Sequence, residues 1–369
     1  MSTKSKIEWL VGDDGQEGTS WNLTVGCQKT GKGCDNCYAI PFAHRLAASP
    51  NPAVAEIYKG LTRKSSKGYG LEWTGLVKTV PERLEEPLHW KKPRKVFVDS
   101  MSDLFHKDVP FEFIDKALAV MALCQRHTFI ILTKRPDRMR EYFSGFWQDN
   151  PKEKEPNAQR WDDARRWLRD LLRTVNPQES ERVGIAMAYQ KFPIPNVWCL
   201  FSAWDQESFE KGYVELAHTP AAVRGVSLEP LLGPVDLVNC QGEDHHFNPL
   251  TGEAWDDENG DLTDDLKYAR LDWVIVGGES GGKARPSDLL HILQIRDDCG
   301  RSGTPFFFKQ WGKYRPCQGH EGPGYSRFCE SYYSDGMTYL SKGMWAAGKK
   351  EAGRVLDGRT WDGFPEVKS

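Results

Sequence analysis

The sequence predicts an α/β fold, a (β/α)8 TIM-like barrel, complete or partial, with two insertions and a C-terminal extension. Three observations predict it. Short apolar runs recur along the chain, polar or Gly/Pro residues follow each run, and helix-period segments lie between them. The 369 residues leave room for one large barrel or two modest domains. With 39% hydrophobic, 27% charged and 12% aromatic residues, the composition is that of a globular chain with a sizeable core. It excludes disorder, collagen and coiled coil.

Eight apolar runs read as strands: Thr19 to Val25, Leu71 to Val80, Lys95 to Asp99, Thr128 to Leu132, Asn196 to Ser202, Val223 to Leu228, Asp272 to Val276 and Pro305 to Lys309. Several are apolar throughout, as expected of strands buried on both faces of a parallel sheet. Phe113, Ala117, Val120, Met121 and Cys124 form one helical stripe, and Trp161, Ala164, Leu168, Leu171, Leu172 and Val175 form another. A helix over 286–299 begins with Pro286 and Asp288 and is followed by Gly300, the usual start and stop signals. A doubly wound open sheet is the main rival, but no G-x-G-x-x-G follows the first strand.

The barrel is expected over 1–311, interrupted by a charged insertion at about 144–195 and a second at about 239–266. The second carries nine acidic residues and no Lys or Arg, and reads as a solvated surface. The extension 312–369 is too rich in specific residues for a flexible leader and is expected to pack on the barrel. Forty-nine Lys plus Arg against 52 Asp plus Glu give a net charge of -3, so any nucleic-acid site must be a local patch. No long apolar run and no signal peptide occur, so a cytoplasmic protein without a membrane partner is expected.

In a barrel of this kind the chemistry is expected at the carboxyl ends of the strands. Cys27, Cys34 and Cys37 follow the first run, Asp99, Ser100 and Asp103 the third, and Thr133, Lys134 and Arg135 the fourth. Glu229 follows the sixth run, Gly277, Gly278, Glu279 and Ser280 the seventh, and Lys309, Gln310 and Trp311 end the eighth. Charges at buried strand ends are costly unless they face a polar cavity. Lys134, Arg135, Arg138 and Arg140 form a local basic group, joined by Arg285 and Lys309 at the rim, that suits a phosphate, hence a nucleotide or nucleic acid. Trp311 is placed to stack on a base or to close the barrel.

Nine cysteines, an odd number in a chain read as cytoplasmic, do not make a disulfide framework. Cys124 and Cys299 lie on apolar helix faces and Cys199 within a strand, where a thiol acts as a small hydrophobe. Cys27, Cys34 and Cys37 instead fall in GCQKTGKGCDNCYA with the spacing C-x6-C-x2-C. Its glycines let a short loop turn thiolates inward around a metal, and three thiolates leave an open coordination position, as a reactive iron–sulfur cluster requires. The alternative is a closed zinc site of Cys27, Cys34, Cys37 and His44.

Three cysteines after the first strand of a barrel, with Tyr38 directly after the last, resemble the cluster loop of radical S-adenosylmethionine enzymes. The usual spacing there is C-x3-C-x2-C, so Cys34 and Cys37 match and Cys27 departs from it. As a whole the chain resembles a phage- and prophage-associated three-cysteine-motif family. The segments that carry this are SWNLTVGC, GCDNCYA, VFVDSMSDLFHKDVP, ILTKRPDRM, VSLEPLLGPVDL, WVIVGGESGGKARP, FFFKQWG and GRVLDGRTWDGFP.

The resemblance implies a 4Fe–4S cluster on Cys27, Cys34 and Cys37, S-adenosylmethionine at its open iron and a separately encoded companion protein. It makes Tyr38, Gly277, Gly278, Glu279, Ser280 and Glu229 candidate cofactor contacts, although a Gly-Gly-Glu is expected after the second strand rather than the seventh. Asp99, Ser100, Asp103, Lys134, Arg135, Lys309, Gln310 and Trp311 are the candidate substrate contacts. The leading expectation is therefore a radical-S-adenosylmethionine-like enzyme acting on a nucleotide or nucleic acid. The others are a zinc-stabilised nucleic-acid- or protein-binding protein without catalysis, and a metal-dependent hydrolase using Asp99, Asp103 and Glu229.

Overall fold

A computed structural model describes residues 3–11, 18–65, 70–144, 156–175, 192–242, 244–256, 261–263, 267–316 and 344–366. Its centre is a parallel sheet of seven strands curved into a half-barrel. The strands are β1 (Thr19–Trp21), β2 (Lys95–Val98), β3 (Thr128–Thr133), β4 (Val197–Ala203), β5 (Val223–Leu228), β6 (Trp273–Gly277) and β7 (Phe306–Gln310). They pair in chain order, β1 to β7, with Thr3–Lys4 antiparallel on the outer edge of β1. A doubly wound sheet would reverse that order at a switch point, so the rival topology is excluded.

Two-residue periodicity divides each strand between two cores. Val96, Val98, Phe129, Ile131, Val197, Cys199, Phe201, Val274, Val276, Phe306 and Phe308 face the outer layer. That layer is built from α-helices over Phe111–Leu123, Pro136–Ser144, Gln206–Ala217 and Leu289–Ser302, with Pro156–Val175 packed on the first of them. Phe97, Ile130, Trp198, Leu200, Trp273, Ile275 and Phe307 point the other way and form the inner core. Its floor is closed by the short helical turn Glu8–Leu10. Trp9 lies 5.0 Å from the Phe97 ring and 6.2 Å from Trp273, and Phe364 from the C-terminal segment lies 5.3 Å from Trp273.

Three sequence expectations need correction. The run Leu71 to Val80 is no barrel strand. Gly75, at φ +90°, breaks it; Leu71–Trp73 pairs antiparallel with Thr62–Lys64, and Lys78–Thr79 pairs with Thr24–Val25. These small ribbons pack with the helix Ala39–Ala47 around a separate small core of Val25, Ala39, Ala43, Tyr58, Leu61 and Val80 instead. The helix expected over 286–299 starts after Asp288, whose carboxylate accepts from the Leu290 amide, and ends at Ser302 with Gly303 in the left-handed conformation. The acidic insertion is not merely a solvated surface. It forms a three-stranded antiparallel sheet whose Phe247 stacks on Tyr213 at 5.3 Å, with Cys240, Leu250 and Ala254 also buried.

Of the insertion expected at 144–195, residues 145–155 and 176–191 lie outside the described residues, as do Cys317 and Cys329. The described part of the C-terminal segment meets the last strand. Asp362 bridges Phe307, and the Trp311 indole donates to the Val355 carbonyl at 2.9 Å. No helix among the described residues is long and apolar enough to cross a membrane.

Candidate functional site

Followed toward its carboxyl end, the inner face of the sheet changes character. Phe97 leads to Asp99, Leu132 to Lys134, Leu200 to Ser202, Ser227 to Glu229, and Phe307 to Lys309, and all of these except Leu200 and Phe307 line one cavity of about 500 Å³. Cys27, Cys34, Cys37, Tyr38, Ser100, Asp103, Arg135, Gly278, Glu279, Ser280 and Gln310 line it as well. The volume is within the range of pockets that hold a cofactor or nucleotide-sized ligand. Its inner wall is apolar, with Ile7, Trp9, Phe97 and Leu132, and its rim is polar.

The loop from Cys27 to Cys37 crosses this rim and is held from three strand ends. Arg135, after β3, donates to the Gln28 carbonyl at 2.8 Å and approaches Cys27 Sγ at 3.9 Å. Trp204, after β4, lies flat against the loop's glycines. A Cβ at Gly31 would stand 2.4 Å from Trp204 Cζ2, and one at Gly33 would stand 2.6 Å from Cε3, so a side chain at either position would have to displace the indole. Glu279, after β6, accepts from Asn36 Nδ2 at 3.0 Å and from Arg285, which itself reaches Asp35 at 3.2 Å and the Lys32 carbonyl at 3.0 Å.

The three loop thiols differ from the other described thiols. Cys27, Cys34 and Cys37 are partly exposed, whereas Cys124, Cys199, Cys240 and Cys299 are buried. Burial pushes Cys27 up to about 11, aided by Asp103 and opposed by Arg135. Burial also raises Cys37. At Cys34 burial acts in the same direction but is outweighed by the Lys134 ammonium and by hydrogen bonds from Thr30 and the Gly31 backbone, so this thiol is lowered. Three thiols line one cavity wall, flanked by Lys134 and Arg135. Among the described residues, no three His, Cys, Asp or Glu side chains are gathered closely enough to hold a metal ion.

The rim charges are organised into pairs. Asp103 accepts from Thr133 Oγ1 at 2.7 Å, the Lys134 amide at 3.1 Å and Arg135 at 2.8 Å. Glu229 meets Lys309 at 2.9 Å and accepts from Ser227 at 2.8 Å. Asp99, 2% exposed, sits in the left-handed region at φ 58° and accepts from the Thr24 amide at 2.8 Å and the Thr24 hydroxyl at 3.0 Å. Burial raises its carboxyl from 3.8 to about 7. Tyr38 is 60% exposed at the cavity mouth, and its hydroxyl donates to the Ser100 carbonyl at 2.5 Å.

Several sequence-predicted roles change with this geometry. Gly277 and Trp311 do not line the cavity. Gly277 makes room for Glu229, whose Oε1 would be 2.5 Å from a Cβ there. Trp311 is buried, with its ring 5.0 Å from Phe308 and its N–H engaged, so it closes the structure and is not free to stack on a base. His44 Nδ1 meets Thr62 Oγ1 at 3.1 Å. Asp99, Asp103 and Glu229 each have their own partners at the rim.

Sequence reasoning missed Trp204, Asn36, Thr24, Ser202 and Ser227. The last two carry a readable signal, a hydroxyl at the inward position of an otherwise apolar strand. No curated protein and no solved structure matches the chain. The model of one family matches residues 4–365, nearly the whole length, and the chain therefore belongs to the family described as "Protein of unknown function (DUF5131)".

Proposed function

We propose that the protein is a radical-S-adenosylmethionine-like iron–sulfur enzyme, with Cys27, Cys34 and Cys37 as ligands of a 4Fe–4S cluster and a nucleotide or nucleic acid as substrate. One observation carries the reading: the partly exposed thiols of a single loop share the wall of a nucleotide-sized cavity at the strand ends, while the other described thiols are buried in the core. When bound, such a cluster supplies an iron with an open position for the reductive cleavage of S-adenosylmethionine.

The chain's own residues support that chemistry in ordinary ways. Lys134 and Arg135 place positive charge beside the loop thiols, which at Cys34 outweighs burial and favours the thiolate, and at Cys27 opposes burial without overcoming it. Ile7, Trp9, Phe97 and Leu132 keep the inner wall free of water, a setting that protects reactive species. The ion pair of Glu229 and Lys309 presents a carboxylate and an ammonium to a ligand on the side of the β5 and β7 ends. The test is 5′-deoxyadenosine formation by anaerobically purified protein given S-adenosylmethionine and a reductant. Product above a cysteine-variant control supports the proposal, and a protein that holds iron but forms none refutes the enzymatic part of it.

A further inference from the structure

We infer that Glu279 is a positioning residue of the cysteine loop, acting through Asn36 and Arg285, and not the group that receives a bound ligand's ammonium. The inference rests on the proposed function only in treating the loop thiols as the working groups of the site. Glu279 is 8% exposed, and both of its carboxylate oxygens are engaged. Oε1 accepts from Arg285 Nη2 at 2.7 Å. Oε2 accepts from the Arg285 amide at 2.8 Å, from Arg285 Nε at 3.0 Å and from Asn36 Nδ2 at 3.0 Å. A carboxylate in a bidentate guanidinium fork with two further N–H donors has little capacity left for an incoming ammonium.

The partners of these donors show what the arrangement does. Asn36 lies between Cys34 and Cys37, and its amide also donates to the Lys283 carbonyl at 2.9 Å. Arg285 continues past Glu279 to Asp35 Oδ2 at 3.2 Å and to the Lys32 carbonyl at 3.0 Å. One buried carboxylate, with the Arg285 it holds, therefore ties the strand-end loop after β6 to residues 32, 35 and 36, the segment that carries Cys34 and leads into Cys37. The contact spans more than 240 positions of sequence. Charge-assisted hydrogen bonds of this kind are stronger than neutral ones when partly buried. Their loss shifts the loop toward open conformations before it disturbs the core beneath.

The test uses metal-free reduced protein, with iodoacetamide as probe and mass spectrometry to read the alkylation rate at Cys34. Glu279→Gln and Arg285→Lys, each removing the fork, should raise that rate about tenfold over the parent. Glu253→Gln in the insertion should leave it unchanged. Arg285→Lys keeps the positive charge at a partly exposed position and decides the matter if Glu279→Gln does not fold. The same variants are titrated with S-adenosylmethionine after anaerobic reconstitution. Unchanged thiol rates in both fork variants, or a folded Glu279→Gln protein with parental thiol rates and about tenfold weaker S-adenosylmethionine binding, would overturn the inference. The alkylation comparison stands whether or not the protein holds iron, so its failure is distinct from failure of the proposed function.

Discussion

The floor and the rim of the half-barrel are made by the same strands and differ in what holds them. At the floor Phe97, Trp198, Trp273 and Phe307 interlock with Trp9 and Phe364 through edge and tilted ring contacts at 5.0–6.2 Å. Such packing excludes water and tolerates little change of volume. At the rim, two to four residues further along, the interactions become pairs of opposite charge and hydrogen bonds between loops. The floor is specified by apolar burial within the sheet. The rim is specified by contacts between residues far apart in sequence, which can be lost without unfolding the sheet.

The comparison predicts that floor and rim variants fail differently. The largest effect is expected for Cys27→Ala, which should abolish iron retention in anaerobically prepared protein while leaving the thermal midpoint near that of the parent. Cys199→Ala should do the reverse, keeping iron and losing about 1 kcal/mol of stability. Iron analysis beside thermal denaturation checks both, and iron retained at parental level in Cys27→Ala would show that the unusual spacing does not mark a ligand. Next comes Trp273→Ala at the floor, expected to cost about 3–5 kcal/mol in urea denaturation through the cavity it leaves.

Gly31→Ala sharpens the comparison because it perturbs the rim by volume alone. The added methyl must displace Trp204, at 2.4 Å from the new Cβ. A cost of about 1–3 kcal/mol is expected, together with faster thiol alkylation. A variant with parental alkylation and stability would show that Trp204 does not hold the loop.

The smallest effect concerns pH. Asp99 titrates near 3.8 when unfolded and at about 7 when folded. The folded state therefore keeps a proton that the unfolded state gives up, and this group's stabilising contribution declines as pH rises from about 4 to about 7. His127 acts with the opposite sign, since burial lowers it from 6.5 to about 4 and its contribution declines as pH falls through that window. Subtracting the stability profile of Asp99→Asn from that of the parent isolates the first effect, expected at on the order of 1 kcal/mol per pH unit at its steepest. A flat difference between pH 4 and 8 would contradict the raised carboxyl.

The sheet was largely legible because its strands are apolar on both faces and bounded by turn residues. DWVIV and TFIIL leave few other readings. The run Leu71 to Val80 misled because its apolar residues are half-buried against local ribbons, and one glycine at positive φ divides it. The cavity wall was legible at Asp99, Lys134, Glu229 and Lys309, where a charge ends an apolar strand. Trp204, Asn36 and the role of Glu279 were not, since their partners lie across the rim and no local pattern reports a contact between positions 36 and 279. The helix end at Gly303 was missed for a simpler reason, a second glycine three residues earlier that the helix passes through.

The central claim, that the loop cysteines hold an iron–sulfur cluster, is tested most directly by metal analysis of the parent protein purified without oxygen. A brown protein with about four irons per chain is expected, with none in the variant lacking Cys27, Cys34 and Cys37. A colourless parent protein with one zinc and no iron would contradict it.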